Sequence, residues 1–330
     1  MNSEKPFSHN GCSIVSEIIQ SIEKDSVLNP QSLNKNIISG YELLSRGIME
    51  IPTLVNPIIP QTGLIALCGG SDTGKSSFLR QLLLAIISSD EFLSFKLNTR
   101  HKRAYYVSSE DDEMAISYLL NKQNRFLKIP IEKFKNINFI FQFDNVIKQL
   151  NDALTNNPAD IVVIDAFADF YPNDIKEVNK VRCFLEEFNQ LAKVHKCLFC
   201  FLHHTGKRTE QLEPSKNNII GSQGFESKMR FIIELRQDHH DSEIRHMCIV
   251  KGNYLPSSYK NESYVLRFNE NMCFEMTDER MPFEKLGKAE NFDKLEKIDK
   301  AKELRDQGKS IKGIADIIGA SKSTIHRWCK

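Results

Sequence analysis

The residues best suited to chemistry lie in one short stretch. Gly69, Gly70, Ser71, Asp72, Thr73, Gly74, Lys75 and Ser76 fit the spacing G-x-x-x-x-G-K-[ST], with Ser77 directly behind. Glycines at the ends let the backbone turn sharply and approach phosphate oxygens that a Cβ would obstruct. The loop amides and the start of the following helix then offer donors and a positive dipole end to a triphosphate. In such a cradle Lys75 reaches the β- and γ-phosphates, and the Ser76 hydroxyl ligates Mg²⁺. A chance match would lack the apolar run before the loop and the amphipathic run after it, and this sequence has both.

Two carboxylates extend the pattern. Asp165 closes the apolar run Ile161-Val162-Val163-Ile164, the position from which an acid holds Mg²⁺ or assists Ser76; the plainer role is a strand cap. Glu110 ends Val107-Ser108-Ser109, and the ends of parallel strands share one edge of a sheet, where ligands bind. A carboxylate there can polarise an attacking water. The alternative, an acid favoured by a helix N-terminus, suits Asp111, Asp112 and Glu113 better. His203 and His204 follow a further buried strand and can sense a γ-phosphate, unless they are strand-end histidines meeting solvent. The loop behind them, Thr205 to Gly224, carries Lys207, Arg208 and Lys216. Loops of that length are usually functional, and basic residues favour a phosphate backbone, although a solvated surface loop would read the same way. Cys197 and Cys200 beside the two histidines look like a metal box, but alternating faces of a buried strand keep them from converging. His239 and His240 fit a hairpin turn.

These groups need a scaffold, and hydrophobic patterning supplies one. Strands are expected at 64–68, 103–109, 136–143, 160–165 and 197–202, and helices at 76–87, 112–126, 145–154 and 175–194. Continuous apolar strands alternating with amphipathic helices indicate an open, mainly parallel α/β sheet. Further strands at 231–236, 246–251 and 263–268 read as antiparallel additions. The chain divides into an N-terminal arm (1–40), with a short amphipathic helix over Ile14 to Ile22; an α/β core (41–283); a charged linker (284–296); and a small all-α unit (297–330).

In that last unit Leu304, Ile311, Ile314, Ala315, Ile317 and Ile318 supply a core. Gly308 ends the first helix, Ser310 caps the second, and Gly319-Ala320 turns into the third. This is a helix-turn-helix pattern. Its third helix opens with Ser321, Lys322, Ser323 and Thr324 and continues to Arg327, short polar and basic groups that suit a major groove and its phosphates. From Lys309 onward five basic residues face one acid. The alternative is a small oligomerisation or docking unit.

Bulk composition narrows the class. The chain has 330 residues, 44 basic and 43 acidic, 41% hydrophobic and 26% charged, so a net charge of +1 gives no global field for nucleic acid and any such site is local. No apolar run approaches the roughly 18 residues of a membrane span, and no signal-peptide core is present. Eight cysteines without a disulfide-like framework fit reduced, buried thiols. A cytoplasmic protein with no membrane partner is expected.

From about Tyr41 to Phe268 the sequence resembles RecA-like ATPases of the plasmid RepA replicative-helicase type, kin to DnaB and RadA. The marks, in order, are Ile58-Ile59-Pro60-Gln61-Thr62-Gly63, the phosphate loop, Tyr106-Val107-Ser108-Ser109-Glu110-Asp111, Val162-Val163-Ile164-Asp165, Phe201-Leu202-His203-His204, Gly221-Ser222 and Lys251-Gly252-Asn253-Tyr254. The resemblance implies a RecA-like core, ATP and Mg²⁺ as ligands, and a homo-oligomeric ring, usually a hexamer. It also implies Glu110 as catalytic base, single-stranded DNA at the 205–224 loop, and Lys251 as a finger reaching a neighbour's γ-phosphate. The family often has a basic residue where this chain has Asn253, which leaves Arg230 or Arg236 as possible contributors. The C-terminal unit resembles resolvase- and transposase-type helix-turn-helix motifs, which implies duplex DNA as its partner. A DNA-dependent ATPase follows, a helicase or loader for a plasmid or mobile element. The alternative is an ATP-switched, non-translocating DNA-binding regulator.

Overall fold

The computed structural model describes residues 37–329 other than Phe143, Lys207, Arg208, Ser222 and Lys288, and does not describe the side chains of Glu210 and residues 289–296. The helix expected over Ile14 to Ile22 lies outside the described residues. A short helix, α1 (Gly40–Ser45), opens with the Ser39 hydroxyl accepting from the Glu42 amide. A small hairpin, β1 (Thr53–Val55) and β2 (Ile59–Pro60), leads into β3 (Gly63–Gly69), which is buried at every position. The phosphate loop connects β3 to α2 (Lys75–Ser88). A second hairpin, β4 (Glu91–Phe92) and β5 (Phe95–Lys96), precedes β6 (Ala104–Ser108), α3 (Glu113–Leu127), β7 (Ile137–Ile140) and α4 (Val146–Asn156). Then come β8 (Ile161–Asp165), α5 (Phe167–Phe170), α6 (Val178–His195), β9 (Leu198–His204) and α7 (Gln223–Lys228). The strands β10 (Phe231–Gln237), β11 (Ile244–Gly252), β12 (Glu262–Phe268) and β13 (Phe274–Pro282) follow. The last helices are α8 (Ala289–Asp306), α9 (Ile311–Ile318) and α10 (Lys322–Trp328).

The main sheet runs β13-β12-β11-β10-β3-β9-β8-β6-β7. From β10 to β7 every neighbouring pair is parallel, and β11 to β13 are antiparallel. Side chains of β3 alternate between two cores. Ile65 and Leu67 pack with Phe78, Leu82 and Ile86 of α2, whereas Leu64, Ala66 and Cys68 share a cluster with Leu150 of α4 and Leu185 and Phe188 of α6. Helices on both faces explain why the central strands are apolar throughout. The fold is the mainly parallel α/β sheet with a helical C-terminal region that the sequence leads one to expect.

Several expectations need correction. The strand at 231–236 is not an antiparallel addition: β10 runs parallel to β3, with Glu234 opposite Cys68. Hydropathy does not mark the strand β13, because its charged segment Thr277-Asp278-Glu279-Arg280 lies on an exposed edge. The expected linker is helical from Ala289, so α8 runs through the boundary placed at 297. In the C-terminal unit Ile314, Ala315, Ile325 and Ala301 form the buried core. Ile317 is 49% exposed instead, because it falls off the spacing Ile311, Ile314, Ala315, Ile318. Among the described residues no helix is long and apolar enough to cross a membrane.

Candidate functional site

The phosphate loop is shaped by its neighbours. A Cβ at Gly69 would lie 2.3 Å from the Leu235 carbonyl oxygen, so the close pass of β10 requires glycine. Gly74 sits at φ 89°, against the rings of Phe274 and Phe268. The Thr73 hydroxyl and the Lys75 ammonium both donate to the Gly70 carbonyl, at 3.1 and 2.5 Å. Three side chains brace the loop and its helix. Arg245 donates Nε to the Thr73 carbonyl (3.1 Å) and lies over the Phe268 ring. The Gln81 amide pairs with the backbone of Phe274 in both directions, and Gln123 donates to the Ser77 carbonyl. Lys75 is buried, which lowers its pKa, while Asp165, Cys68, Glu110 and Asp72 draw it back up.

Asp165 ends β8 opposite Ser108 of β6 and is 3% exposed. The hydroxyl of fully buried Tyr106 donates to its Oδ2. Burial raises the Asp165 pKa, and hydrogen bonds with Tyr106 and Ser76 oppose the rise. Asp165 Oδ1 is buried without a hydrogen-bond partner. An open carboxylate oxygen beside a serine hydroxyl is the donor set of a hard, oxygen-seeking cation, so Ser76 and Asp165 fit Mg²⁺.

Glu110 is exposed, two residues beyond the end of β6. The turn that carries it is stitched to β8 by Ser109, whose amide and Oγ both donate to the Asp165 carbonyl (2.8 and 2.9 Å). Ser109 Oγ also lies 2.6 Å from Asp169 Oδ2 and accepts from the Ala166 amide. Partial desolvation, then the charges of Asp165 and Asp169, raise the Glu110 pKa, with Lys75 opposing. Glu110, Asp165 and Lys75 therefore feel one another electrostatically at a single sheet edge, a grouping able to bind a phosphate and activate a water.

His203 and His204 are the last residues of β9 rather than residues beyond it, so they point to opposite faces. His203 is 2% exposed and packs between Phe167 and Phe225; it does not meet solvent. Burial, first of all, pushes its pKa down to about 4. His204 is half-buried, and Lys75 and Asp165 both act on its charge. Of the two, His204 has the environment of the phosphate site.

The 205–224 loop is not structureless. The Thr205 amide donates to the Gly69 carbonyl, Ile220 donates to His204, and Thr205 and Ile219 form a bridge. Glu234 of β10 accepts from the Ser215 amide and the Asn218 side chain, which pins the middle of the loop to the sheet. Lys216 is exposed and paired with Glu226 at 3.2 Å, while Lys207 and Arg208 lie outside the described residues. Lys251 stands level with Ile232, which pairs with Ala66, about 10 Å along the sheet from Gly69. Its ammonium meets the Glu226 carboxylate at 2.7 Å. Arg236 is buried in an ion pair with Glu234 and donates to the Leu212, Leu286 and Thr209 carbonyls, which removes it as a finger. Arg230 packs over the Tyr254 ring.

In the C-terminal unit Ser321 caps α10, accepting from the Thr324 amide and bonding to the Ser323 and Thr324 hydroxyls. Lys322, Ser323 and Arg327 are exposed. Cys197 and Cys200 belong to the cores on opposite faces of the sheet. Residue type and spacing alone do not mark Tyr106, Ser109 or Arg80 as parts of this site. Arg80 is 1% exposed within Phe78-Leu79-Arg80-Gln81-Leu82, and a charge inside an apolar helix face is the signal that could have found it.

A family model described as an AAA domain matches residues 43–210. Among solved structures, the ATPase domain of G40P aligns at TM-score 0.52 and 14% identity, covering 80% of this chain and 99% of that one. A KaiC-like protein, PH0186 of the hyperthermophilic archaeon Pyrococcus horikoshii, aligns at TM-score 0.49 and 17% identity, covering 69% and 96%. The first likeness shows a shared RecA-like P-loop fold. No curated protein matches the chain.

Proposed function

The chain belongs to the AAA domain family, and from that premise we propose that it is a DNA-dependent ATP hydrolase: a ring-forming, RepA-type helicase or helicase loader. One observation carries the reading. The phosphate loop, the buried Asp165 with its open Oδ1, and Glu110 with its raised pKa meet at one edge of the sheet. The residues Gly69 to Ser77 hold the triphosphate through backbone amides, with Lys75 against its β- and γ-phosphates. Ser76 and Asp165 hold Mg²⁺, which offsets phosphate charge when bound. Glu110 takes a proton from the attacking water as the water adds to the γ-phosphorus, and ADP leaves. His204 reads the γ-phosphate from the same edge. Lys251 of a neighbouring subunit, released from Glu226, completes the site across an interface, most naturally in a hexamer.

Coupling to DNA is supported by the bonds that tie the 205–224 loop to Gly69 and His204 at its two ends. Lys207, Arg208 and Lys216 are the loop's basic residues, and they would bind the phosphates of single-stranded DNA. The C-terminal unit is a helix-turn-helix whose Lys322, Ser323 and Arg327 meet duplex DNA, with Ser321 and Thr324 also serving the cap. Several copies in one ring raise duplex avidity beyond that of a single unit. Replication or mobilisation of a plasmid or mobile element is the setting the resemblance favours. The test is ATP hydrolysis by the purified protein with and without single-stranded DNA, alongside strand displacement from a forked duplex. Stimulated hydrolysis with displacement is expected. Hydrolysis that DNA leaves unchanged, with no displacement, would sink the motor reading.

A further inference from the structure

Arg80 lies one turn beyond Ser76 and Ser77 on α2, and its guanidinium is almost fully buried. Its Nη2 donates to Ser77 Oγ at 3.2 Å, while Nε and Nη1 have no hydrogen-bond partner. Its ionic partner is Asp111, whose Oδ2 stands 3.6 Å from Nη1. Packing alone does not call for this residue: an apolar side chain of similar volume usually serves a buried position equally well or better. A buried charge with donors to spare points instead to a partner that approaches.

Asp111 adjoins Glu110. The turn is fixed to the sheet by Ser109 on the Asp165 carbonyl and by Ser108 Oγ on the Asp111 carbonyl (2.8 Å). Those contacts involve strand ends. Among the described residues, Arg80–Asp111 is the ion pair that joins the turn to the helix behind the phosphate loop.

We propose that Arg80 is a positioning residue: through Asp111 it couples the nucleotide-holding helix α2 to the turn that presents Glu110, so that filling the phosphate loop sets the base. The pair stands at 3.6 Å, an ion pair just beyond hydrogen-bond length, so a small shift of the turn toward α2 would bring the two groups into a hydrogen bond. This rests on Glu110 acting as the base.

The test uses Asp111→Asn, Asp111→Glu and Glu110→Gln in the full chain, because Asp111 is 36% exposed and its change spares the core. Three readouts are ATP turnover, affinity for a fluorescent ADP analogue, and amide hydrogen exchange over residues 109–112 with and without ADP. Asp111→Asn should lower kcat about 10- to 100-fold, as a displaced catalytic group does, with ADP affinity within about twofold. Asp111→Glu should keep most of kcat. ADP should slow exchange over the turn in the parent and in Asp111→Glu, and not in Asp111→Asn. Parent-like kcat, or parent-like ADP protection, in Asp111→Asn would overturn the proposal. If Glu110→Gln hydrolyses normally, the base assignment fails instead, and the exchange data still decide whether Arg80 and Asp111 couple the loop to the turn.

Discussion

His203 offers a quantitative test of how the sheet edge is built. Its ring lies 5.2 Å from Phe167 and 4.6 Å from Phe225, centroid to centroid, with neither nitrogen hydrogen-bonded. Burial, then the neighbouring His204, lower its pKa from 6.5 to about 4; the Ile220 backbone pulls the other way, and Lys75 adds to the fall. The folded state therefore resists a proton that the unfolded chain accepts. Stability from this group is complete above about pH 6.5 and is lost as pH falls toward about 4. Linkage over that window gives a loss of about 2 kcal/mol by pH 5 and about 3 kcal/mol by pH 4. His203→Phe fills the aromatic nest without a titrating group. Urea unfolding of both proteins from pH 8 to pH 5 should show the variant gaining about 2 kcal/mol on the parent across the range. Parallel profiles for the two proteins would refute the buried, neutral imidazole.

Three further outcomes follow from named contacts. Tyr106→Phe removes a donor from a buried carboxylate and should cost about 2 kcal/mol in urea unfolding; a loss under about 0.5 kcal/mol would contradict that bond. Because α8 is continuous from Ala289, truncation belongs after Leu286, and the shortened chain should keep basal ATP turnover while losing at least about tenfold in duplex affinity. Lys251→Ala should lower turnover at least about 100-fold, and mixing it with Glu110→Gln subunits should restore part, since each supplies what the other lacks; full activity of Lys251→Ala alone would remove the finger.

The parts of the site legible in the sequence were those whose chemistry forces a residue type. Gly69 and Gly74 are required by close approach and positive φ, and Asp165 stood out as a carboxylate ending an apolar run. What stayed hidden depends on three-dimensional neighbours. Tyr106 reads as one more aromatic in a core strand, and only the β6–β8 register brings its hydroxyl to Asp165. The opposite fates of His203 and His204 turn on β9 continuing to its last two residues, a boundary that hydropathy does not mark. The edge strand β13, half charged and one-sided, carries too little apolar pattern to be seen, yet it supplies Phe274 beneath the loop. Ile317 has the residue type of a core position but not the place in the helical period that would bury it.

In the proposed mechanism Glu110 activates water at a site where Gly69 to Ser77 hold the triphosphate. Glu110→Gln, measured for ATP binding and for single-turnover hydrolysis in the same preparation, addresses it most directly. Binding within about twofold of the parent and hydrolysis slowed about 10²- to 10⁴-fold are expected. Hydrolysis at the parental rate, or binding lost together with it, would contradict that mechanism.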